Sequence, residues 1–314
     1  MKITRREFIQ VGAAAAGAVA LKVQPALGIQ GGNPMLPAIN PVYLMGGTGV
    51  PPVNHGQDAH ATSPMQRWPL EQLAETGYRG LELTPACLDD ASTAAWKPVA
   101  DKAGLEPVCV NALPELRPYL TGSLSDAVER DRRATLDRLL RVLEQMRRLQ
   151  ISLLVVAPGR PAENYQTPAE ARALLVASLR ELADGGDTTI LLEAAPWRMF
   201  ASSKEIAAVV DEVAKPNVAA ALDLGHALLN GESPSEASKT LGARLRYVQV
   251  HDADISPGSA RLDRHLPLGE GSLKREEVRE MMRDLPFAVG ITPLGDPLAA
   301  AKAALEWLGS AAAT

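Results

Sequence analysis

The sequence predicts an α/β chain closed into a (β/α)8 barrel, and three observations carry that prediction. Short β-rich runs alternate with longer segments of helical apolar spacing, eight of each kind. Several apolar runs close in a single polar residue, as Thr189-Ile190-Leu191-Leu192 closes in Glu193 and Ala219-Ala220-Ala221-Leu222 in Asp223. The 314 residues leave room, once an N-terminal segment is set aside, for one domain of the roughly 250 residues such a barrel needs. Strict alternation implies right-handed crossovers and a parallel sheet, for which eight units most simply close on themselves. An open doubly wound sheet is the alternative, but no Gly-x-Gly-x-x-Gly follows the first run to support it.

Taken in order, the expected strands are Val42–Met45, Gly80–Thr84, Pro107–Asn111, Ser152–Ala157, Thr189–Glu193, Val218–Asp223, Arg246–His251 and Ala288–Thr292. The expected helices are Met65–Thr76, Ala91–Ala103, Asp126–Leu149, Pro168–Ala183, Ser203–Val213, Pro234–Leu241, Leu273–Asp284 and Pro297–Leu308. Some of them announce their starts: Thr167-Pro168-Ala169-Glu170 and Ser202-Ser203-Lys204-Glu205 place a hydroxyl cap three residues before a Glu.

The first 30 residues read as an address and not as part of the barrel. Thr4, the pair Arg5-Arg6 and Phe8 precede an uncharged run from Val11 to Leu21, followed by small residues around Pro25-Ala26-Leu27-Gly28. The pattern is that of a signal peptide, and the paired arginines resemble the twin-arginine type. The expectation is export to the periplasm or beyond, no stable membrane anchor after cleavage, and a single barrel domain over 31–314. An uncleaved anchor is the alternative, disfavoured by a run of Ala and Gly in place of Leu and Ile. The net charge of −5 offers no basic face for a phosphate backbone, so no nucleic-acid partner is expected. Cys87 and Cys109, the two cysteines, exclude a disulfide scaffold and a cysteine-rich metal site.

In a parallel barrel, residues closing the strands share one rim, where the chemistry of such folds sits. Here these are Glu82, Asn111, Arg160, Glu193, Asp223, His226 and His251. Carboxylates after two successive strands and an imidazole after the next make the inventory of a divalent-cation site with oxygen and nitrogen donors, suited to Mn, Mg, Co or Zn. The stretch Asp252 to Gly271 is too long and too polar for a mere connection. It adds Asp254, His265 and Glu270 as candidates.

At these residues the chain resembles the xylose-isomerase-like TIM-barrel superfamily of sugar isomerases, epimerases, dehydratases and apurinic endonucleases. The likeness rests on Gly77-Tyr78-Arg79-Gly80-Leu81-Glu82-Leu83, Leu192-Glu193, Leu222-Asp223-Leu224-Gly225-His226, Val250-His251-Asp252-Ala253-Asp254 and Arg264-His265-Leu266-Pro267-Leu268-Gly269-Glu270-Gly271. It implies that Glu193, Asp223 and His251 are metal ligands, that Glu193 moves a proton, that His226 lies beside the metal and contacts substrate, and that His265 and Glu270 shape the rim. Asp263-Arg264-His265 is also similar to the Asp-x-His ligand pair of the apurinic endonucleases. The histidines those enzymes carry after the second and third strands are absent, since Glu82-Leu83-Thr84 and Val110-Asn111-Ala112 stand there.

One departure matters more than the matches. The family's fourth ligand is a Glu closing the eighth strand, and in the epimerases it is the second of two bases; here the alignment puts Leu294 in its place. Two-base epimerisation is expected to fail unless Asp296 reaches in. The leading expectation is therefore an exported metal-dependent enzyme acting on a sugar or polyol, an isomerase, epimerase or one-base lyase, with Glu82, Asn111, Arg160, His226, Asp254, His265 and Glu270 contacting substrate. A non-catalytic sugar-binding or accessory barrel is the alternative, and a metal-dependent phosphoesterase a weaker one. Substrate identity and oligomeric state stay open.

Overall fold

A computed structural model describes residues 37–39, 69–112, 123–159, 166–196, 198–283, 285–293 and 295–309. The strands are β1 (Pro37–Ile39), β2 (Gly80–Leu83), β3 (Glu106–Asn111), β4 (Leu153–Val156), β5 (Thr189–Glu193), β6 (Val218–Asp223), β7 (Leu245–Val250) and β8 (Phe287–Val289). Every neighbouring pair is parallel and β1 pairs with both β2 and β8, so the sheet is a closed (β/α)8 barrel. One expected strand is corrected. The first strand is Pro37–Ile39, where Ala38 sits between Gly80 and Ala288, and Val42–Met45 lies outside the described residues. A three-residue strand opening on a proline carries too little alternation to stand out in sequence, although the first position of a strand is where a proline is tolerated.

Side-chain parity along each strand sorts the core into two layers. Val218, Ala220 and Leu222 of β6 join the large apolar layer between sheet and helices, whereas Ala219 and Ala221 join the smaller cluster inside the barrel. Asp223, in step with Ala219 and Ala221, therefore faces the interior. The same count turns Glu193 inward with Leu191, and His251 inward above Tyr247 and Gln249. Small residues fill much of the inner layer because Tyr247 and the polar groups above it need the room.

The expected helices form with shifted ends, among them α1 (Leu70–Thr76), α2 (Asp90–Ala103), α3 (Glu129–Arg148), α4 (Pro168–Asp184) and α5 (Ser203–Val213). The two hydroxyl caps read from sequence are full capping boxes, Thr167 with Glu170 and Ser202 with Glu205. A short helix that the periodicity did not isolate, α6 (Leu224–Leu229), follows β6 directly, ahead of α7 (Pro234–Leu241). The barrel is completed by α8 (Arg275–Met281) and α9 (Pro297–Leu308). Among the described residues no helix is long and apolar enough to cross a membrane.

Candidate metal and proton-transfer site

Three consecutive strands deliver the site. Glu193 ends β5, Asp223 ends β6 and His251 follows β7 by one residue, and all three are buried. The turn from β6 into α6 brings the fourth member. Asp223 is the N-cap of α6, its Oδ1 accepting the backbone N–H of His226 at 3.0 Å, so the imidazole of His226 is held in the first turn of that helix. Asp223 Oδ2 accepts from His251 Nδ1 at 3.0 Å. Between them lies Gly225, where a Cβ would sit 2.1 Å from His251 Nε2; the glycine is needed because the ring occupies that space.

The loop after β7 adds two residues. Asp263 lies across the histidines, its Oδ2 3.2 Å from His226 Nε2 and its Oδ1 3.4 Å from His251 Nε2. His265 stacks on His251 with ring centroids 3.9 Å apart and sends its Nδ1–H to the carbonyl of Gly290 at 2.6 Å. That bond fixes the tautomer, leaving Nε2 as the lone-pair nitrogen of His265. The backbone of His265 is left-handed at φ 48°, and its carbonyl accepts from Thr292 N–H at 2.7 Å, so the residue is pinned to the chain just beyond β8.

The electrostatics follow from burial and mutual distance. Burial drives the Glu193 carboxyl up, only partly opposed by the hydrogen bond from His226 Nδ1 at 2.8 Å, and its pKa stands at about 7. Asp223 is also pushed up by burial, but the charges of His226 and His251 outweigh this and hold it at about 2. Burial opposes the charge on His251, yet Asp223 and Asp263 lift it to about 9. Burial likewise opposes charge on His226, but Asp223, Asp263 and Glu193 raise it well above the usual imidazole range. His265 goes the other way, to about 4, through burial and the neighbouring charge of His251. Asp263, despite its burial, is driven far below the carboxylate range by His226 and His251.

These residues fit a divalent cation. Two groups of donor atoms lie within 4.8 Å of one another, Glu193 with Asp223 and His226, and His226 with His251, Asp263 and His265. Glu193 Oε2, His251 Nε2 and Asp263 Oδ1 are buried and make no hydrogen bond among the described residues, an expensive arrangement unless something else is bound there. Mixed carboxylate and imidazole donors suit the zinc-to-manganese range.

The remaining candidates are placed elsewhere. Glu82 and Asn111 are buried on the inner face of β2 and β3, deeper in the barrel, where Glu82 accepts from Asn111 Nδ2 at 3.4 Å, Tyr247 OH at 2.9 Å and Gln249 Nε2 at 2.7 Å. Asp254 is turned into its own loop, its carboxylate taken by Ser256 N and Oγ. Glu270 is exposed. Neither is brought to the histidines. Asp296 does not reach in, because its side chain caps α9 by accepting from Leu298 N. Arg160 and Leu294 lie outside the described residues. Asp263, weighed in sequence only as half of an Asp-x-His pair, is the member of the cluster that was not among the sequence candidates.

Comparison with known proteins agrees with the architecture. The profile of the family described as "Xylose isomerase-like TIM barrel" matches residues 70–311. A D-psicose 3-epimerase structure determined in the presence of D-fructose superposes with a TM-score of 0.66 at 19% identity, covering 88% of this chain and 100% of that one. The IOLI protein with a bound zinc atom superposes at 0.65 and 17% identity, covering 87% and 98%. A protein named probable endonuclease 4 from Mesomycoplasma hyopneumoniae (strain 7448) is 27% identical over 164 residues, 48% of this chain, which spans only 58% of that relative's length.

Proposed function

The chain belongs to the xylose isomerase-like TIM barrel family, and from that premise we propose that it is a divalent-metal-dependent enzyme acting on a sugar or polyol at the C-terminal rim of the barrel. The observation that carries the reading is Glu193: a fully buried carboxylate with one oxygen oriented by His226 and the other without a hydrogen bond among the described residues. An oriented carboxylate with an unfilled oxygen is placed to accept a proton and return it. Glu193 and Asp223 would hold the cation together with His226, and His251 would serve in the second donor set with His226, Asp263 and His265. When bound, the cation would polarise a carbonyl or hydroxyl oxygen of the substrate.

The protein's own residues then divide the work. Glu193 takes a proton from the carbon beside the polarised oxygen and returns it there or to the neighbouring atom. His226, clamped between Glu193 and Asp263, keeps the base oriented. Asp263 supplies a third carboxylate to a cluster that lacks the eighth-strand Glu of the family. With Leu294 in place of that second base, proton transfer runs through one group, which suits isomerisation or β-elimination better than epimerisation.

The test is metal analysis of the purified protein followed by incubation with ketoses in D2O. Metal-dependent uptake of one deuterium at the carbon next to the carbonyl, abolished by chelation, is the expected result. Sugar binding without any exchange would identify an accessory barrel instead. Leu294→Glu should tighten metal retention and add epimerisation to exchange. We also propose export by the twin-arginine route, which changing both Arg5 and Arg6 to Lys should block.

A second reading, hydrolysis of a phosphoester, is favoured by one observation, the two donor groups that share His226. Two bound cations per chain and cleavage of bis(p-nitrophenyl) phosphate, without deuterium uptake into any ketose, would put that reading first.

A further inference from the structure

We propose that Asp252 is a positioning residue whose carboxylate latches the loop after β7 and so delivers Asp263 and His265 to the histidine cluster. The inference rests on reading that cluster as the reactive site. Asp252 is fully buried, yet its side chain points away from the cluster into a cradle of backbone N–H groups. Oδ1 accepts from Ala253 and Leu273 at 2.9 Å each, and Oδ2 from Gly269 and Gly271 at 3.0 Å each. One carboxylate thus joins the first residue of the loop to its last turn. Its backbone reinforces the closure, Asp252 and Leu266 exchanging N–H···O bonds of 2.9 and 3.0 Å, while Ser272 N–H donates to Ala253 O at 3.0 Å.

The geometry explains why a latch is needed. Ser256 to Gly258 and Ala260 to Leu262 lie exposed at the surface, and the side-chain bonds of this excursion stay within the turn, Ser256 and Ser259 both donating to Asp254. Nothing in that excursion fixes where Asp263 comes back. Its position is set from the two ends, by the Asp252 latch and by the bonds of His265 to Gly290 and Thr292. Gly271 belongs to the same device, since a Cβ there would lie 2.4 Å from Asp252 Oδ1. An anionic acceptor is required at Asp252: in Asp252→Asn an NH2 group would confront two N–H donors.

The experiment compares Asp252→Asn and Gly271→Ala with Asp254→Asn, a carboxylate of the same loop that caps only its own turn. In metal-free protein, NMR of the imidazole C–H signals reads the mutual ring-current displacement of the stacked His251 and His265 rings. Both latch variants should lose that displacement, and both should bind Co2+ about 10- to 100-fold more weakly with an altered visible spectrum, as should Asp263→Ala. Asp254→Asn should change neither. Retention of the stacked-ring signals in the latch variants overturns the proposal, whatever happens to thermal stability. Should Asp252→Asn fail to fold, Gly271→Ala, which keeps the carboxylate, decides the matter. If the wild type binds no Co2+, the metal reading falls while the ring signals still judge the latch.

Discussion

Glu82 and Glu193 are both fully buried carboxylates on the inner face of barrel strands, yet their surroundings give them opposite characters. Among the described residues the donors to Glu82 are neutral side chains and both oxygens are engaged, by Asn111 on one side and by Tyr247 and Gln249 on the other. Around Glu193 the only hydrogen-bond donor among the described residues is His226, one oxygen makes no bond, and the carboxyl is pushed to about 7. Burial alone therefore does not make a catalytic carboxylate. What distinguishes the reactive one is burial combined with an unfilled acceptor and a titratable partner.

The sharpest way to break the comparison is the same substitution at both positions. Glu193→Gln keeps shape and removes the proton acceptor, so deuterium uptake should fall by roughly 100- to 10,000-fold. Glu82→Gln should leave exchange far less affected but destabilise the fold by about 1 to 3 kcal/mol, since an NH2 group replaces one acceptor oxygen among donors. Equal losses of activity would show that the floor of the barrel takes part in the chemistry. Next in size is Gly225→Ala: the new Cβ overlaps the His251 ring and must break its bond to Asp223, so metal affinity should drop about 10- to 100-fold in a titration of the chelated protein.

A third measurement uses the charges of the site. His251 at about 9 and Glu193 at about 7 both hold protons more tightly in the fold than in the unfolded chain. Their contribution to the metal-free protein is thus complete at low pH and is lost as pH rises through 7 for Glu193 and 9 for His251. A cation competes with those same protons, so its affinity should climb between pH 7 and 9 by up to about tenfold per unit for each proton displaced. Melting curves should therefore separate as pH rises, the metal-free midpoint falling and the metal-induced increase growing. A metal-induced increase that is flat over this window would remove Glu193 and His251 from the ligand set.

The parts of this arrangement that sequence revealed are those governed by a short period. Apolar runs closing in Glu193 and Asp223 marked both the strands and the rim at which they end. His226 was legible because it stands three residues beyond Asp223, the spacing at which an N-cap accepts the backbone N–H that follows. The rest depends on contacts without a period. Asp263 returns to the site 12 residues after His251 in chain order through a loop whose path is set by Asp252, and no local pattern encodes that return. β1 is three residues long and is held by its two neighbours more than by its own composition. The donors around Glu82 come from β3 and β7, so its saturation could not be read from β2.

The smallest expected effects are at Asp254 and Glu270, and they test whether the site is already assembled in this conformation. Sequence placed both beside the substrate, as members of the long polar stretch that follows His251. In the structure the carboxylate of Asp254 serves a turn with Ser256, and Glu270 is exposed. Surface substitutions away from packed or paired groups usually stay within about 0.5 kcal/mol, so Asp254→Asn and Glu270→Gln should each alter exchange by no more than about twofold. Suppose instead that either variant raises KM by tenfold or more with kcat unchanged. Its carboxylate would then touch substrate, which requires the loop after β7 to move on binding. The contrast between Glu193 and the outlying acids would become one of timing, with Glu193 in place before substrate arrives and the loop acids recruited by it.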